Sequence, residues 1–181
     1  MKKKEEIQQV DTKAGMNFYH NQWGKPTHDD QLLFELLTVG TFQVGLSWKV
    51  AAGKREVFFK NFDNMEIAKV AAMMPDDIER IMEDPNMIRN PRKIDATITN
   101  ARAIIGIQKE FGSFATYLWN FVDNEPIELE YIDASEVPNS SPLAATLAKD
   151  MKKRGFKFVG PIVTYMFMKA SGLVKDIVLD Q

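Results

Sequence analysis

The 181-residue chain has no cysteine and only two histidines, His20 and His28. Without cysteine it forms no disulfide and offers no thiolate to a metal, which fits a reducing cytosol. Nowhere is there an apolar run of the ~18 residues a membrane helix needs. The basic start, Met1-Lys2-Lys3-Lys4, is followed by Glu5-Glu6 and no apolar stretch, so it does not read as a secretory leader. An excess of positive charge is also missing: the net charge is −2 and the pI about 5.8. That is the wrong overall sign for a protein that coats nucleic acid, so any DNA contact must rest on a local basic face. Strand signals are scarce. The one β-branched patch, Phe158 to Val163, is broken by Pro161.

What remains is a helix-former. The length suits a single domain over residues 1–181, and 45% hydrophobic residues can fill a core. Leu32, Leu33, Leu36 and Leu37 fall at helical spacing between Asp29 and Val39. Asp63 with Glu66 reads as a capping box, leading a stripe of Ile67, Val70, Ala71 and Met74. Pro75 opens a short helix burying Ile78, Ile81 and Met82. A longer helix begins near Pro91, carries Ile94, Ile98, Ala101 and Ile105, and stops at Phe111-Gly112. Ser113 to Phe121, the segment after Ser141-Pro142, and Pro161 to Ala170 predict three more helices. Residues 123–140 hold six acidic residues and two prolines and read as an exposed connection.

Two aromatic segments carry the chemistry: Tyr19-His20-Asn21-Gln22-Trp23-Gly24 and Gln43-Val44-Gly45-Leu46-Ser47-Trp48. Large flat side chains beside Gly and Ser suit a slot that grips another flat ring. Enzymes that act on a nucleobase extrude it into such a slot. Read singly, Tyr19, Trp23 and Trp48 also fit ordinary core aromatics.

These segments, with Phe34-Glu35, Lys54-Arg55-Glu56, Ile88-Arg89-Asn90, Lys93-Ile94, Asn100-Ala101-Arg102, Leu118 to Val122, Lys152 to Gly160 and Gly172-Leu173-Val174, resemble the bacterial 3-methyladenine DNA glycosylase I family. The pieces fall in order from about residue 18 to 176, with residues 1–15 as an N-terminal extension. The resemblance implies an all-α, two-lobed helical bundle with a helix-hairpin-helix element and a base pocket between the lobes. It implies hydrolysis of the N-glycosidic bond of 3-methyladenine in DNA during base excision repair, with neither a Schiff base nor strand cutting. Tyr19 and Trp48 would grip the base and Trp23 would shape the pocket. Gln43, Gly45 and Leu46 would enter the gap left in the duplex, although Leu46 also fits a core leucine. Arg89, Asn90, Arg92 and Lys93 would meet DNA at the hairpin, with Lys153 and Arg154 in a second basic cluster. The expected partner is double-stranded DNA with alkylated bases, without cofactor, membrane or obligate protein partner. The expected location is the bacterial cytoplasm, at the nucleoid.

The chain departs from the family pattern at several points. Gly40 stands where the family carries a base-binding glutamate, which makes Gly40 a catalytic position by its vacancy. Glu35, five residues earlier, is expected to face solvent. Of four zinc-ligand positions only His20 remains, with Ile177 at another. No zinc is expected, and His20 should be a partly buried hydrogen-bonding residue. At the hairpin, Asn86 replaces a common glycine and should tolerate a left-handed turn. Pro91 removes one N–H donor. Met166 replaces a serine. Three readings stay open: an active glycosylase, a relative that binds damaged DNA without excision, and a glycosylase for another cationic purine such as 7-methylguanine.

Overall fold

The computed structural model describes residues 12–179. Of the expected extension over 1–15, residues 1–11 lie outside the described residues and the rest begin a helix. The helices are α1 (Thr12–Gln22), α2 (Asp30–Gln43), α3 (Trp48–Ala52), α4 (Arg55–Asn61), α5 (Ile67–Ala71) and α6 (Pro75–Met82). They continue with α7 (Pro91–Phe111), α8 (Phe114–Asn120), α9 (Pro142–Lys153) and α10 (Pro161–Ala170). Two short strands, β1 (Ile127–Tyr131) and β2 (Val174–Val178), pair in parallel from Ile127 opposite Val174 to Tyr131 opposite Val178.

Helix α2 is the axis of the molecule. The Asp29 carboxylate accepts from the N–H groups of Gln31 and Leu32 and starts it. Every residue from Leu33 to Val39 is buried, so the helix is covered on all sides. It touches α3, α7, α8 and α10. Helix α7 starts at Asn90, whose side chain accepts from the N–H groups of Arg92 and Lys93, and ends at Gly112 with φ +89°.

Asp30, the first residue of α2, reaches across the molecule. Its carboxylate accepts from the N–H groups of Phe114 and Ala115 and from the Gln108 amide, each at 2.9 Å. It therefore joins the start of α2 to the first turn of α8. Removing it leaves two backbone donors of α8 without that partner, at about 1–3 kcal/mol. Asp30→Ala is expected to lower the urea midpoint accordingly, with an unchanged slope. A midpoint equal to that of the wild type would show that water replaces the carboxylate without loss.

Three local expectations are corrected. Asp63 does not cap a helix: Asp63, Asn64 and Met65 form one tight turn with φ of 48°, 58° and 56°. Helix α5 begins after Glu66, and Met74 is exposed rather than part of its buried stripe. The reciprocal cap lies one helix later, where the Asp77 carboxylate accepts from the Met74 N–H at 2.8 Å. The acidic connection over 123–140 contains β1. There Glu128 and Glu130 face out while Ile127, Leu129 and Tyr131 are half-buried, an alternation of period two. Residues 158–163 form no strand; Phe158 takes φ +59° and Pro161 opens α10.

Candidate active site

The two aromatic segments converge. Tyr19 in α1, Trp23 just after it, Gly40 and Gln43 in α2, Trp48 at the start of α3 and Met166 in α10 line one crevice. Ser47 explains the placement of Trp48, because its hydroxyl accepts from the Val50 N–H and begins α3 there. Gly45, at φ +75°, and the Leu46 N–H bonded to the Gln43 carbonyl at 2.8 Å turn the chain between α2 and α3. Tyr19 is the inner wall, 1% exposed, and Trp23 the outer one, 38% exposed. Trp23 and Trp48 meet edge to face with ring centres 6.5 Å apart.

The inner crevice is narrow, about 10 Å³ in volume. It opens outward into a hollow of about 280 Å³ bounded by His20, Trp23, Gln43, Trp48 and Met166. A ligand-sized site is roughly 300–1,000 Å³. The outer hollow approaches that range, and a flat ring reaches Tyr19 only if side chains at the mouth turn aside. Met166, unbranched and flexible, is the cheapest to move. Gly40 leaves space at this wall: a Cβ there would meet Val163 Cγ1 at 3.7 Å, an ordinary contact.

Behind the crevice lies a charged group placed differently from expectation. Glu35 is buried, 5% exposed, not solvated. Its Oε1 accepts from the Tyr19 hydroxyl at 3.0 Å and from Arg55 Nε at 3.2 Å. Arg55 lies over the rings of Phe18 and Phe59, at 3.8 and 4.4 Å from their centres. Tyr19 thus turns its hydroxyl away into the protein. Burial pushes the Glu35 carboxyl above its ordinary range, against the pull of Arg55 and the Tyr19 hydrogen bond. It also pushes the Tyr19 hydroxyl far up, with Glu35 adding to the shift.

A carboxyl with a raised native pKa binds more protons folded than unfolded. Its contribution to stability is complete below the unfolded value and is lost as pH rises through the native one. The stability of the wild type relative to Glu35→Gln is therefore expected to fall as pH climbs through and above the ordinary carboxylate range. Urea midpoints of both proteins from acid to neutral pH check this. A gap that widens in favour of the wild type would mean that Arg55 outweighs burial.

The DNA-facing expectations divide. Leu46 is 48% exposed at the tip of its turn, which fits a protruding plug and not a core leucine. Arg89 and Arg92 are exposed beside the hairpin between α6 and α7, and Lys153 is exposed at the end of α9. Lys93 is corrected: it is 5% exposed, and its Nζ donates inward to the carbonyls of Phe42, at 2.9 Å, and Val44. The Asn90 side chain is spent on capping α7. Arg154 pairs with Asp150 at 2.8 Å and Glu110 at 2.7 Å, so its charge is matched within the protein. His20 is exposed, not partly buried. Asn86 is not among the residues with positive φ, so the hairpin needs no left-handed residue there. Its turn is fixed by the Asp84 carboxylate accepting from the Asn86 N–H at 2.9 Å and by Lys54 Nζ donating to the Asn86 carbonyl at 2.6 Å.

Two hollows flank the hairpin. One of about 480 Å³ lies between it and the Leu46 turn. The other, about 810 Å³, runs past Arg92, Lys152 and Lys157, with Asp95 among them. Arg92 and Phe158 border both. Together they make one trough. Lys157 is paired with Asp95 at 3.0 Å, so Arg89, Arg92 and Lys152 make this trough basic, and it runs up to the Leu46 turn.

The family described as methyladenine glycosylase matches residues 8–180. The chain belongs to this family. It is 40% identical over 159 residues to the DNA-3-methyladenine glycosylase 1 of Escherichia coli, covering 88% of this chain and 85% of that protein. It is 35% identical over 161 residues to the DNA-3-methyladenine glycosylase of Haemophilus influenzae, covering 89% and 87%. A crystal structure of a tyrosine-to-phenylalanine variant of 3-methyladenine DNA glycosylase I, in complex with 3-methyladenine, superposes with a TM-score of 0.86 at 36% identity. That match covers 92% of this chain and 89% of the other. The family's helical glycosylase fold is thus the fold of this chain. Among the described residues no helix is long and apolar enough to cross a membrane.

Sequence reasoning missed the Glu35 network and the inward turn of Lys93. It also missed the stacking of His28 on Trp119, ring centres 4.6 Å apart. The first had a signal: Glu35 interrupts an otherwise continuous apolar run from Leu32 to Leu37, and such a helix is covered on every side.

Proposed function

We propose that this protein is a monofunctional DNA glycosylase that releases 3-methyladenine from double-stranded DNA and starts base excision repair in the bacterial cytoplasm. The observation that carries this reading is the convergence of Tyr19, Trp23 and Trp48 on one crevice beside an exposed Leu46 turn and a basic trough.

The chemistry asks little of the protein. Methylation at N3 gives the base a positive charge and weakens its bond to the sugar. Water adds to C1′, the N-glycosidic bond breaks, and its electron pair neutralises the ring. The products are neutral 3-methyladenine, an abasic sugar and one proton. Aromatic faces attract the cationic ring before the bond breaks, at ~0.5–2 kcal/mol for each good contact. Neutral bases lack that attraction, and the narrow crevice gives them no reason to stay. Flipping costs a few kcal/mol. Leu46 offsets part of that by filling the gap in the stack. Arg89, Arg92 and Lys153 hold phosphates on either side.

The test is direct. The protein is incubated with methylated duplex DNA, and the free bases are separated by chromatography. Release of 3-methyladenine is expected. Release of 7-methylguanine alone would replace the base named here, and tight binding without release would make the chain a damage-binding relative. Leu46→Gly should slow release from duplex by about tenfold or more, because the wedge is lost.

A further inference from the structure

We infer that Lys93 is a positioning residue that fixes the Leu46 turn in register with the phosphate-facing hairpin. The inference rests on the proposed function, in which Leu46 enters the duplex.

Lys93 occupies the first turn of α7, immediately after the hairpin. Its neighbour Arg92 is exposed, whereas Lys93 points into the protein. Its ammonium donates to the carbonyls of Phe42 and Val44. Phe42 lies in the last turn of α2, and Val44 follows that helix and leads into Gly45-Leu46. The last carbonyls of a helix lack partners within it and carry partial negative charge. Lys93 satisfies two such carbonyls with one buried cation. It thereby joins the end of α2 to the start of α7, so the hairpin and the Leu46 turn move as one piece.

A second strap runs in parallel. Lys54, which follows α3, donates from Nζ to the Asn86 carbonyl at the hairpin tip. The segment from Phe42 to Lys54 is therefore tied to the hairpin at both ends. The hollow of about 480 Å³ lies between the two parts. Both ammonium groups are directed at backbone carbonyls. This geometry lets phosphate capture by Arg89 and Arg92 set where Leu46 meets the base stack.

The experiment uses the full chain with Lys93→Met and Lys93→Arg, and Lys54→Met as a variant on the other strap should Lys93→Met fail to fold. Binding to undamaged duplex is measured against salt concentration. Insertion of Leu46 is read as the rise in fluorescence of 2-aminopurine placed beside an abasic-site analogue. For Lys93→Met the salt slope should match the wild type, while the population with Leu46 inserted falls about tenfold, because both charged hydrogen bonds that hold the turn are lost. Lys93→Arg should recover most of it. A salt slope smaller by about one would overturn the inference, because it marks a lost phosphate contact. A fluorescence rise equal to the wild type would overturn it too. If the wild-type protein itself gives no rise, the plug reading fails, and the inference falls with it. A wild type that gives the rise but releases no base leaves this inference standing while refuting excision.

Discussion

Gly40→Glu is expected to raise the rate of 3-methyladenine release roughly ten- to a hundredfold. A hydrogen bond to a charged group contributes ~1.5–3 kcal/mol, and each ~1.4 kcal/mol is a factor of ten. A carboxylate at position 40 would stand in the crevice wall beside Trp48. There it would face the positive charge of the base and accept from its exocyclic amino group. The backbone tolerates the change, since residue 40 is helical and its Cβ would meet Val163 at an ordinary 3.7 Å. Glycine inside a helix is also the poorest residue short of proline, so glutamate adds a few tenths of a kcal/mol of helix stability. The check is single-turnover release from methylated duplex, with the melting temperature measured alongside. A folded variant with an unchanged rate would show that position 40 does not face the bound base. A loss of rate would show that the carboxylate closes the crevice.

The second large effect concerns stability. Glu35→Leu is expected to cost about 2–4 kcal/mol, because it strands the Tyr19 hydroxyl and removes the partner of Arg55. Arg55 keeps some access to water, with its side chain 30% exposed, which holds the loss below that of a fully buried pair. For a chain of this size each kcal/mol moves the melting temperature by ~2–4 °C, so a drop of roughly 5–15 °C follows. Tyr19→Phe removes only the hydroxyl and should cost less, about 1 kcal/mol. The double variant Tyr19→Phe with Glu35→Leu should be less destabilised than the sum of the two, since both act on one hydrogen bond. Strict additivity would mean that the bond between Tyr19 and Glu35 contributes nothing.

The helix ends were the most legible part of the sequence. Asp29, Ser113, Ser141 and Gly112 cap helices by local hydrogen bonds or a local backbone conformation, and local features can be read from neighbours in the chain. The crevice was legible for a related reason: Gly45 and Ser47 place Trp48, and both lie within three residues of it. Direction was harder. Arg92, Lys93 and Ile94 are successive residues, two basic and one apolar, and only the rotation of α7 against α2 decides that the second cation turns inward. Glu35 is the same case. Its acidity suggested solvent, but its partners lie 16 and 20 residues away, and nothing local links them. Arg154 finds Glu110 44 residues away. Strand β1 was not legible: its acidic residues read as an exposed connection, and its partner β2 is far along the chain.

That distance has a consequence for how the protein comes into being. Met166 and Phe167 of α10 complete a wall that Tyr19 and Trp48 begin. During synthesis the hairpin and the Leu46 turn emerge first, while the crevice has only one side. On the proposed function, a nascent or prematurely stopped chain lacking α10 would hold the Leu46 turn and the hairpin beside a crevice with one wall missing, so completion of α10 sets the moment at which discrimination begins.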